Sequence, residues 1–177
     1  MKNDKGELYI YSHTSSVLKN NPLGDPYERD FPIYFPPSYE TSEKKYPVVF
    51  FIVGFTGTGF SHLNRSFMVE DIQQRLDRLI KQGKMKEMIV VMPDCITKFG
   101  GSQYINSTAT GKYEDYIIKE LVPFVDKNFR TIPHAHSRAI CGKSSGGYGA
   151  MILSMKNPDV FGLMCSTAGD AYFEYCY

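Results

Sequence analysis

The sequence contains no tryptophan, only four cysteines and no excess of charge of either sign, with a formal net charge of +1. No block of lysine or arginine stands out, which argues against a nucleic-acid partner or an anionic membrane surface. The longest apolar run, Val48 to Val53, is far too short to span a bilayer, and the polar start at Met1 has no signal-peptide pattern. We therefore expect a cytoplasmic protein with no membrane partner.

The cysteines and the glycine-rich segments also lack the spacings of cofactor sites. The cysteines form no Cys-x-x-Cys pair and have no histidine at ligand spacing, so we expect no metal and reduced thiols. Cys141 and Cys165 lie in apolar strand-like runs, where a cysteine usually acts as a small buried hydrophobe. The segment from Gly54 to Gly59 does not have the Gly-x-Gly-x-x-Gly spacing of a dinucleotide site, so no cofactor is predicted.

Strand and helix patterns alternate along what we interpret as a single domain over residues 1–177. Two extended segments with a turn-rich link predict an antiparallel start, and the later apolar runs are continuous, which indicates strands covered on both faces. The predicted strands are 7–12, 30–35, 48–53, 88–92, 138–141 and 161–166, and the predicted helices are 66–82, 113–128 with a kink or break at Pro123, and 148–156. This order predicts an α/β fold: a doubly wound, mostly parallel sheet with antiparallel N-terminal strands.

One stretch combines this organisation with reactive chemistry: Gly142-Lys143-Ser144-Ser145-Gly146, between a predicted buried strand and a predicted helix. The two glycines flank Ser144 at positions where a Cβ would collide with the neighbouring strand or helix. A strand, a sharp turn and a helix form the context of a nucleophile elbow, which exposes a serine Oγ above the end of a sheet. Ser144 is therefore the candidate nucleophile.

Other interpretations of the same residues are weaker. Gly142-Lys143-Ser144 also ends like a phosphate-binding P-loop, but Ser137 stands where that loop needs its first glycine. A Ser–Lys dyad with Lys143 is awkward because adjacent residues at a sharp turn point apart. Ser145 fits the register of the two glycines less well than Ser144 does. The bland alternative is a glycine-rich turn that happens to contain serines.

A serine nucleophile needs a base, and the four histidines supply no obvious one. His134 and His136 precede the elbow strand, which places them at its amino end, roughly 20 Å from Ser144. His62 follows the glycine-rich loop and could approach the active edge, although a lone histidine is more often a surface or packing residue. His13 belongs to the N-terminal strands. No histidine follows Ser144, whereas the triad order in α/β-hydrolases is Ser, acid, His.

Several short motifs together resemble the esterase branch of the α/β-hydrolases, the group that includes esterase D, feruloyl esterases, enterochelin esterases and mycolyltransferases. The resemblance covers almost the whole chain. It rests on the joint order and spacing of Asn21-Pro22-Leu23-Gly24-Asp25, Tyr46-Pro47-Val48-Val49, Met92-Pro93-Asp94, Glu120-Leu121-Val122-Pro123-Phe124-Val125-Asp126, and Gly142-Lys143-Ser144-Ser145-Gly146-Gly147-Tyr148-Gly149-Ala150. Each motif is short, so the order of the whole set makes the resemblance specific.

The resemblance implies hydrolysis of a small-molecule carboxylic ester or thioester through an acyl-enzyme. Carried over, Ser144 is the nucleophile, and the backbone N–H groups of Ser145 and Phe55 form the oxyanion hole. This sequence departs from the family at Val53-Gly54, where His-Gly is frequent, and at Ser145, where methionine is frequent. Both positions act through the backbone, so these departures leave the expected function intact.

Family members continue well past the equivalent of Tyr177, so two explanations stay open. The chain is the N-terminal part of an esterase whose triad acid and histidine lie beyond residue 177, in which case it shows little hydrolysis alone, or it is a short protein that has lost hydrolysis. The aromatic ending at 172–177 favours the first. Asp170, after the strand that follows Ser144, is a candidate acid, although a loop or capping role is more common. A non-catalytic binding module, an acyltransferase and a homo-oligomer also stay open.

Overall fold

A computed structural model describes residues 5–64 and 66–172 of the chain. The strands are β1 (Glu7–Thr14), β2 (Glu28–Phe35), β3 (Val48–Ile52), β4 (Ile89–Val91), β5 (Ile96–Thr97), β6 (Gly100–Gly101), β7 (Asn106–Ser107), β8 (Gly111–Lys112), β9 (Arg138–Lys143) and β10 (Leu163–Thr167). The helices are α1 (Ile72–Lys81), α2 (Tyr113–Asp115), a π-helical segment (Tyr116–Leu121), α3 (Val122–Asn128) and α4 (Ser145–Lys156), with 3-10 turns at Gly59–Leu63 and Ala135–Ser137.

Six strands form one sheet in the order β1-β2-β4-β3-β9-β10. β1 and β2 pair antiparallel, β2 and β4 pair antiparallel, and the β4-β3-β9-β10 part is parallel. The carboxyl ends of β3, β9 and β10 therefore meet at one edge, the place where open α/β sheets bind their ligands. The predicted α/β fold, with its antiparallel start and parallel centre, is confirmed.

Each face of the sheet has its own apolar cluster. On one face, alternate residues of β3 and β9 pack against the helices from α2 to α3 and against α4, with Phe50, Ile140 and Leu153 fully buried. On the other face, Val49 and Phe51 pack with α1. The continuous apolar run of β3 is explained by this double coverage, because a strand buried on both faces needs apolar residues at every position.

The helix predicted over 66–82 begins later, at Ile72. Asp71 caps it, since its carboxylate accepts from the Gln74 N–H at 2.9 Å and the Gln74 side chain accepts from the Asp71 N–H. Met68, which the pattern places on the apolar face, is 89% exposed and has a positive φ of 58°. The capping box fixes the start, so the apolar residues before it do not join the helix.

The predicted interruption of the second helix at Pro123 takes another form. The chain stays helical from Tyr113 to Asn128, and the residues just before the proline widen into the π-helical segment. Pro123 lies in the first turn of α3, directly after this segment, where the Val122 N–H still donates to the Ile117 carbonyl with π-helical spacing. The helix therefore accommodates the proline by changing its hydrogen-bond spacing rather than by ending.

The expected burial of both strand cysteines is wrong for Cys165. Cys141 is half-buried, and burial raises the pKa of its thiol to about 12, whereas Cys165 is exposed. β10 stands at the end of the strand order, so its side chains lack the cover that β9 receives from both neighbouring strands. The aromatic ending lies outside the described residues from 173 onward. None of the described helices has the length and apolar character needed to cross a membrane.

Candidate active site

Ser144 stands at the turn between β9 and α4, with φ 56° and ψ −125°. This backbone conformation is unfavourable for a residue with a Cβ and persists only when its surroundings enforce it. The Ser144 N–H donates to the Thr167 carbonyl of β10 at 3.0 Å, and the Ser144 carbonyl accepts from the Tyr148 N–H at 2.9 Å. The parallel sheet and the new helix together hold the serine in this strained conformation at the strand–helix turn.

The two flanking glycines allow this turn by close packing. A Cβ on Gly142 would lie 2.5 Å from the Gly146 carbonyl group and 2.8 Å from the Ile52 oxygen. A Cβ on Gly146 would lie 2.6 Å from the Ile52 oxygen and 2.7 Å from the Val53 oxygen. These neighbours are backbone atoms that cannot rotate away, so any larger residue would push α4 off the end of β3.

The loop after β3, residues 53–58 (the β3 loop), lies directly beside Ser144. A Cβ on Gly54 would be 3.6 Å from the Ser144 Cβ and 4.0 Å from its Oγ. The Gly57 N–H donates to the Gly54 carbonyl at 3.0 Å, which closes a tight turn with Phe55 at its second position. The turn does not use the N–H of Phe55. Ser145 is the first residue of α4, and the N–H groups in the first turn of a helix have no acceptor within that helix.

An open cavity of about 700 Å³ lies at this edge of the sheet. Its lining comprises Phe51, Ile52, Val53, Gly54, Phe55, Thr56, Gly57, Ser61, His62, Lys143 and Ser144. It is large enough for a small ligand and mostly apolar, with the Ser144 hydroxyl among its few polar groups. The two sequence-predicted residues Ser144 and Phe55 therefore share one cavity.

The rival nucleophile Ser145 does not share this exposure. Ser145 is 1% exposed, and its hydroxyl has no hydrogen-bond partner among the described residues. Its side chain faces the protein interior while Ser144 lines the cavity. Lys143 also lines the cavity but is exposed on the turn itself. Of these three adjacent side chains, Lys143 and Ser144 line the cavity and Ser145 is buried behind it.

His62 alone among the four histidines, all of which are described, lines the cavity that holds Ser144. Its ring stacks on Phe51 at 4.0 Å between centroids, and it donates a hydrogen bond to the Phe51 carbonyl. Burial lowers the pKa of His62 to about 4, and its Nε2 has no hydrogen-bond partner in the described part of the chain. These contacts are those of a packing residue that anchors the 3-10 turn after the β3 loop.

The remaining histidines lie away from Ser144. His134 and His136 stack on each other at 5.1 Å beside the 3-10 turn that precedes β9, at the opposite end of that strand. His13 lies on β1, 3.7 Å from Glu120. Asp170 is half-buried in the segment that follows β10, and its role as an acid stays a prediction.

Sequence reasoning missed the side-chain hydrogen bonds that attach residues 95–110, a segment without periodicity, to the sheet. Arg29 is buried, donates to Asp94 at 3.0 Å and to the Ile96 carbonyl at 2.9 Å, and thereby ties β2 to the start of the segment. Tyr104 is buried and hydrogen-bonds to Val53, 51 residues earlier in the chain. The Met92-Pro93-Asp94 motif was the one available signal. In the described residues, no three His, Cys, Asp or Glu side chains form a group that could hold a metal ion.

A glycine-flanked serine at a strand–helix turn, above a mostly parallel sheet, defines the α/β-hydrolase class. A family model described as Putative esterase matches residues 26–173. The chain belongs to this esterase family.

Similar sequences and solved structures agree with this family. The chain is 30% identical over 149 residues to an endo-1,4-beta-xylanase/feruloyl esterase of Xylanibacter ruminicola, a match that covers 79% of this chain and 19% of the relative. It is 27% identical over 149 residues to an S-formylglutathione hydrolase of Arabidopsis thaliana, over 74% of this chain and 48% of the relative. A ferulic acid esterase structure superposes with a TM-score of 0.79 at 27% identity, over 93% of this chain and 59% of that one.

An S-formylglutathione hydrolase structure from Agrobacterium tumefaciens gives a TM-score of 0.69 at 23% identity, over 93% of this chain and 58% of that one, and shows the shared fold. The chain thus spans less than two thirds of the length of each of these relatives. The names of these four relatives are those of esterases or hydrolases.

Proposed function

We propose that this chain carries the nucleophile and the oxyanion hole of a serine hydrolase that acts on small-molecule carboxylic esters or thioesters. The Ser144 Oγ attacks the carbonyl carbon, the alcohol or thiol leaves, and water releases the acyl group from the serine. The observation that carries the proposal is the position of Ser144, at φ 56° on the strand–helix turn and in the wall of the cavity. Burial of Ser145 favours its neighbour as the nucleophile.

The oxyanion hole comes from two backbone N–H groups. Phe55 offers one from the β3 loop, which passes beside Ser144, and Ser145 offers the other from the positive end of α4. Donors that are already in place when negative charge develops on the carbonyl oxygen are commonly the largest electrostatic term in acyl transfer. Because both donors are backbone groups, the unusual side chains at Val53 and Ser145 do not weaken this role.

We place the triad acid and base outside these 177 residues. Three of the four histidines lie away from the cavity, and His62 is committed to Phe51. The chain spans less than two thirds of its relatives, which leaves room for both groups in a longer protein. Without a base, we expect hydrolysis by the 177-residue chain to be lower by roughly 10⁴-fold or more than in a complete triad enzyme.

A thiol at position 144 tests the proposal on this chain alone, because a thiolate forms without a neighbouring base. We expect Ser144→Cys to be acylated by p-nitrophenyl acetate at least about tenfold faster than Ser145→Cys, since only the first thiol faces the cavity and the oxyanion donors. The adduct is mapped by mass spectrometry to the tryptic peptide 144–156, which contains no native cysteine. Equal acylation at the two positions would contradict the proposal.

A further inference from the structure

Tyr104 lies where the β3 loop leaves the sheet. Its side chain is 3% exposed, and its hydroxyl donates to the Val53 carbonyl at 2.6 Å and accepts from the Val53 N–H at 2.9 Å. One phenol therefore pairs both backbone polar groups of a single residue. Strand pairing cannot serve Val53, because the ladder between β3 and β9 ends at Ile52.

This pairing matters because Val53 is itself buried. A buried N–H or carbonyl that loses its partner costs about 1–3 kcal/mol, so the backbone would move to find another partner or water. Val53 stands two residues before Phe55, the proposed oxyanion donor. The hydroxyl of Tyr104 consequently fixes the path of the β3 loop at its first residue.

The other side of the Tyr104 ring lies against α4. A Cβ on Gly149 would fall 2.4 Å from the ring carbon Cδ2, so this glycine makes the space that the tyrosine occupies. Gln103 and Tyr104 both adopt a positive φ, 55° and 60°, a costly pair for residues with side chains. The Tyr104 N–H donates to the Ser102 Oγ at 3.3 Å, which helps to hold this strained backbone.

We infer that Tyr104 is a positioning residue that sets the spacing between the two oxyanion donors. It contacts the β3 loop that presents the Phe55 N–H and the helix α4 that presents the Ser145 N–H. A displacement of about 1 Å at a reacting centre costs up to about 10²-fold in rate, so a loop that relaxes without this clamp loses catalysis while substrate access is kept. The inference rests on the proposed function of Ser144.

Two reactions of the Ser144→Cys chain separate positioning from simple folding. In acylation by p-nitrophenyl acetate, the thiolate sulfur bonds to the carbonyl carbon through a tetrahedral oxyanion, and p-nitrophenolate leaves with the electron pair of the C–O bond. In alkylation by iodoacetamide, the same thiolate displaces iodide and no oxyanion forms. We expect Tyr104→Phe to lower the acylation rate by about 10–100-fold and to leave the alkylation rate within about twofold.

Tyr116→Phe is the matched control, because Tyr116 is fully buried and its hydroxyl has no hydrogen-bond partner among the described residues. It should change neither rate. If Tyr104→Phe does not fold, Gly149→Ala replaces it, since the added methyl group displaces the tyrosine ring and should give the same selective loss of acylation.

An unchanged acylation rate, or an equal fall in both reactions, would overturn the positioning role. If Ser144→Cys is acylated no faster than Ser145→Cys, the proposed function fails first, whatever Tyr104 does. If the Ser144→Cys chain is reactive and Tyr104→Phe lowers only its acylation rate, both the proposed function of Ser144 and the positioning role of Tyr104 are supported.

Discussion

At the residue scale, the site depends on side chains that are absent as much as on those that are present. Gly142 and Gly146 leave room for α4 to begin against the backbone of β3, and this close approach forces Ser144 into a positive φ. The close packing around these two glycines could be predicted from the sequence, because it is confined to one strand–helix turn and its neighbouring strand. The register of the two glycines already favoured Ser144 over Ser145, and the structure adds that the packing of α4 buries the Ser145 hydroxyl.

His62 gives the chain a distinct acid response. Burial lowers the pKa of its imidazole from 6.5 to about 4. Between these two pH values His62 is therefore protonated in the unfolded chain and neutral in the folded chain. The free energy of unfolding should therefore fall as pH drops from 6.5 to 4, by roughly 2–3 kcal/mol. Urea denaturation at several pH values measures this slope.

His62→Gln should flatten the pH dependence in that window, whatever its effect on stability at pH 7. His136→Gln, at an exposed site, is the control and should retain the wild-type slope. The carboxylates with lowered pKa values, Glu70, Glu87, Asp115 and Glu120, contribute stability that is lost as pH falls below their ordinary pKa values of 4.5 for glutamate and 3.8 for aspartate. A wild-type slope in His62→Gln between pH 6.5 and 4.5 would therefore contradict the assignment.

At the element scale, the positions of the six strands of the main sheet were predictable because they carry apolar runs or alternation, whereas the two-residue strands β5 to β8 carry neither. The strand bounds agree with the sequence prediction to within two residues at each end. The start of α1 was not predicted correctly, because the helix begins at the Asp71–Gln74 capping box rather than at the first apolar residue of the pattern. Periodicity reports which face is buried, whereas the cap determines where the hydrogen bonds begin.

β10 is an element whose environment the sequence did not reveal. It ends the strand order, and Leu163 and Met164 are 53% and 48% exposed on its two faces. An exposed apolar edge strand invites pairing with another copy. We expect the 177-residue chain to self-associate with rising concentration under reducing conditions, as sedimentation velocity would show.

Met164→Lys should raise the monomer fraction, because a charge on the edge strand opposes pairing. Met155→Lys makes the same change at an exposed position on α4, away from the edge, and should leave association unchanged. A wild-type chain that stays monomeric at high concentration, or equal effects of the two substitutions, would remove β10 as the associating edge.

At the scale of the whole molecule, the fold converts three distant segments into one edge. β3 delivers its loop, β9 delivers Ser144, and β10 supplies the carbonyl of Thr167 that holds the serine N–H. The sequence predicted a mostly parallel sheet, and with it the meeting of these carboxyl ends, but not the order of the strands. The clamp by Tyr104 was not predicted, because a contact across 51 residues in a segment without periodicity leaves no local pattern.

The family and the fold support an ester hydrolase, while the acyl and alcohol parts of the substrate are left to experiment. Product analysis with and without an alcohol acceptor separates hydrolysis from acyl transfer.

Fluorophosphonate labelling with adduct mapping tests the central claim most directly, since the probe phosphonylates an activated serine and marks its position. It is carried out on the 177-residue chain and on a longer form of the protein. We predict one adduct, on Ser144 in the peptide 144–156, faster in the longer form and abolished by Ser144→Ala but retained by Ser145→Ala. Labelling of the longer form that persists in Ser144→Ala, or an adduct mapped to another serine, would contradict the assignment of Ser144 as the nucleophile.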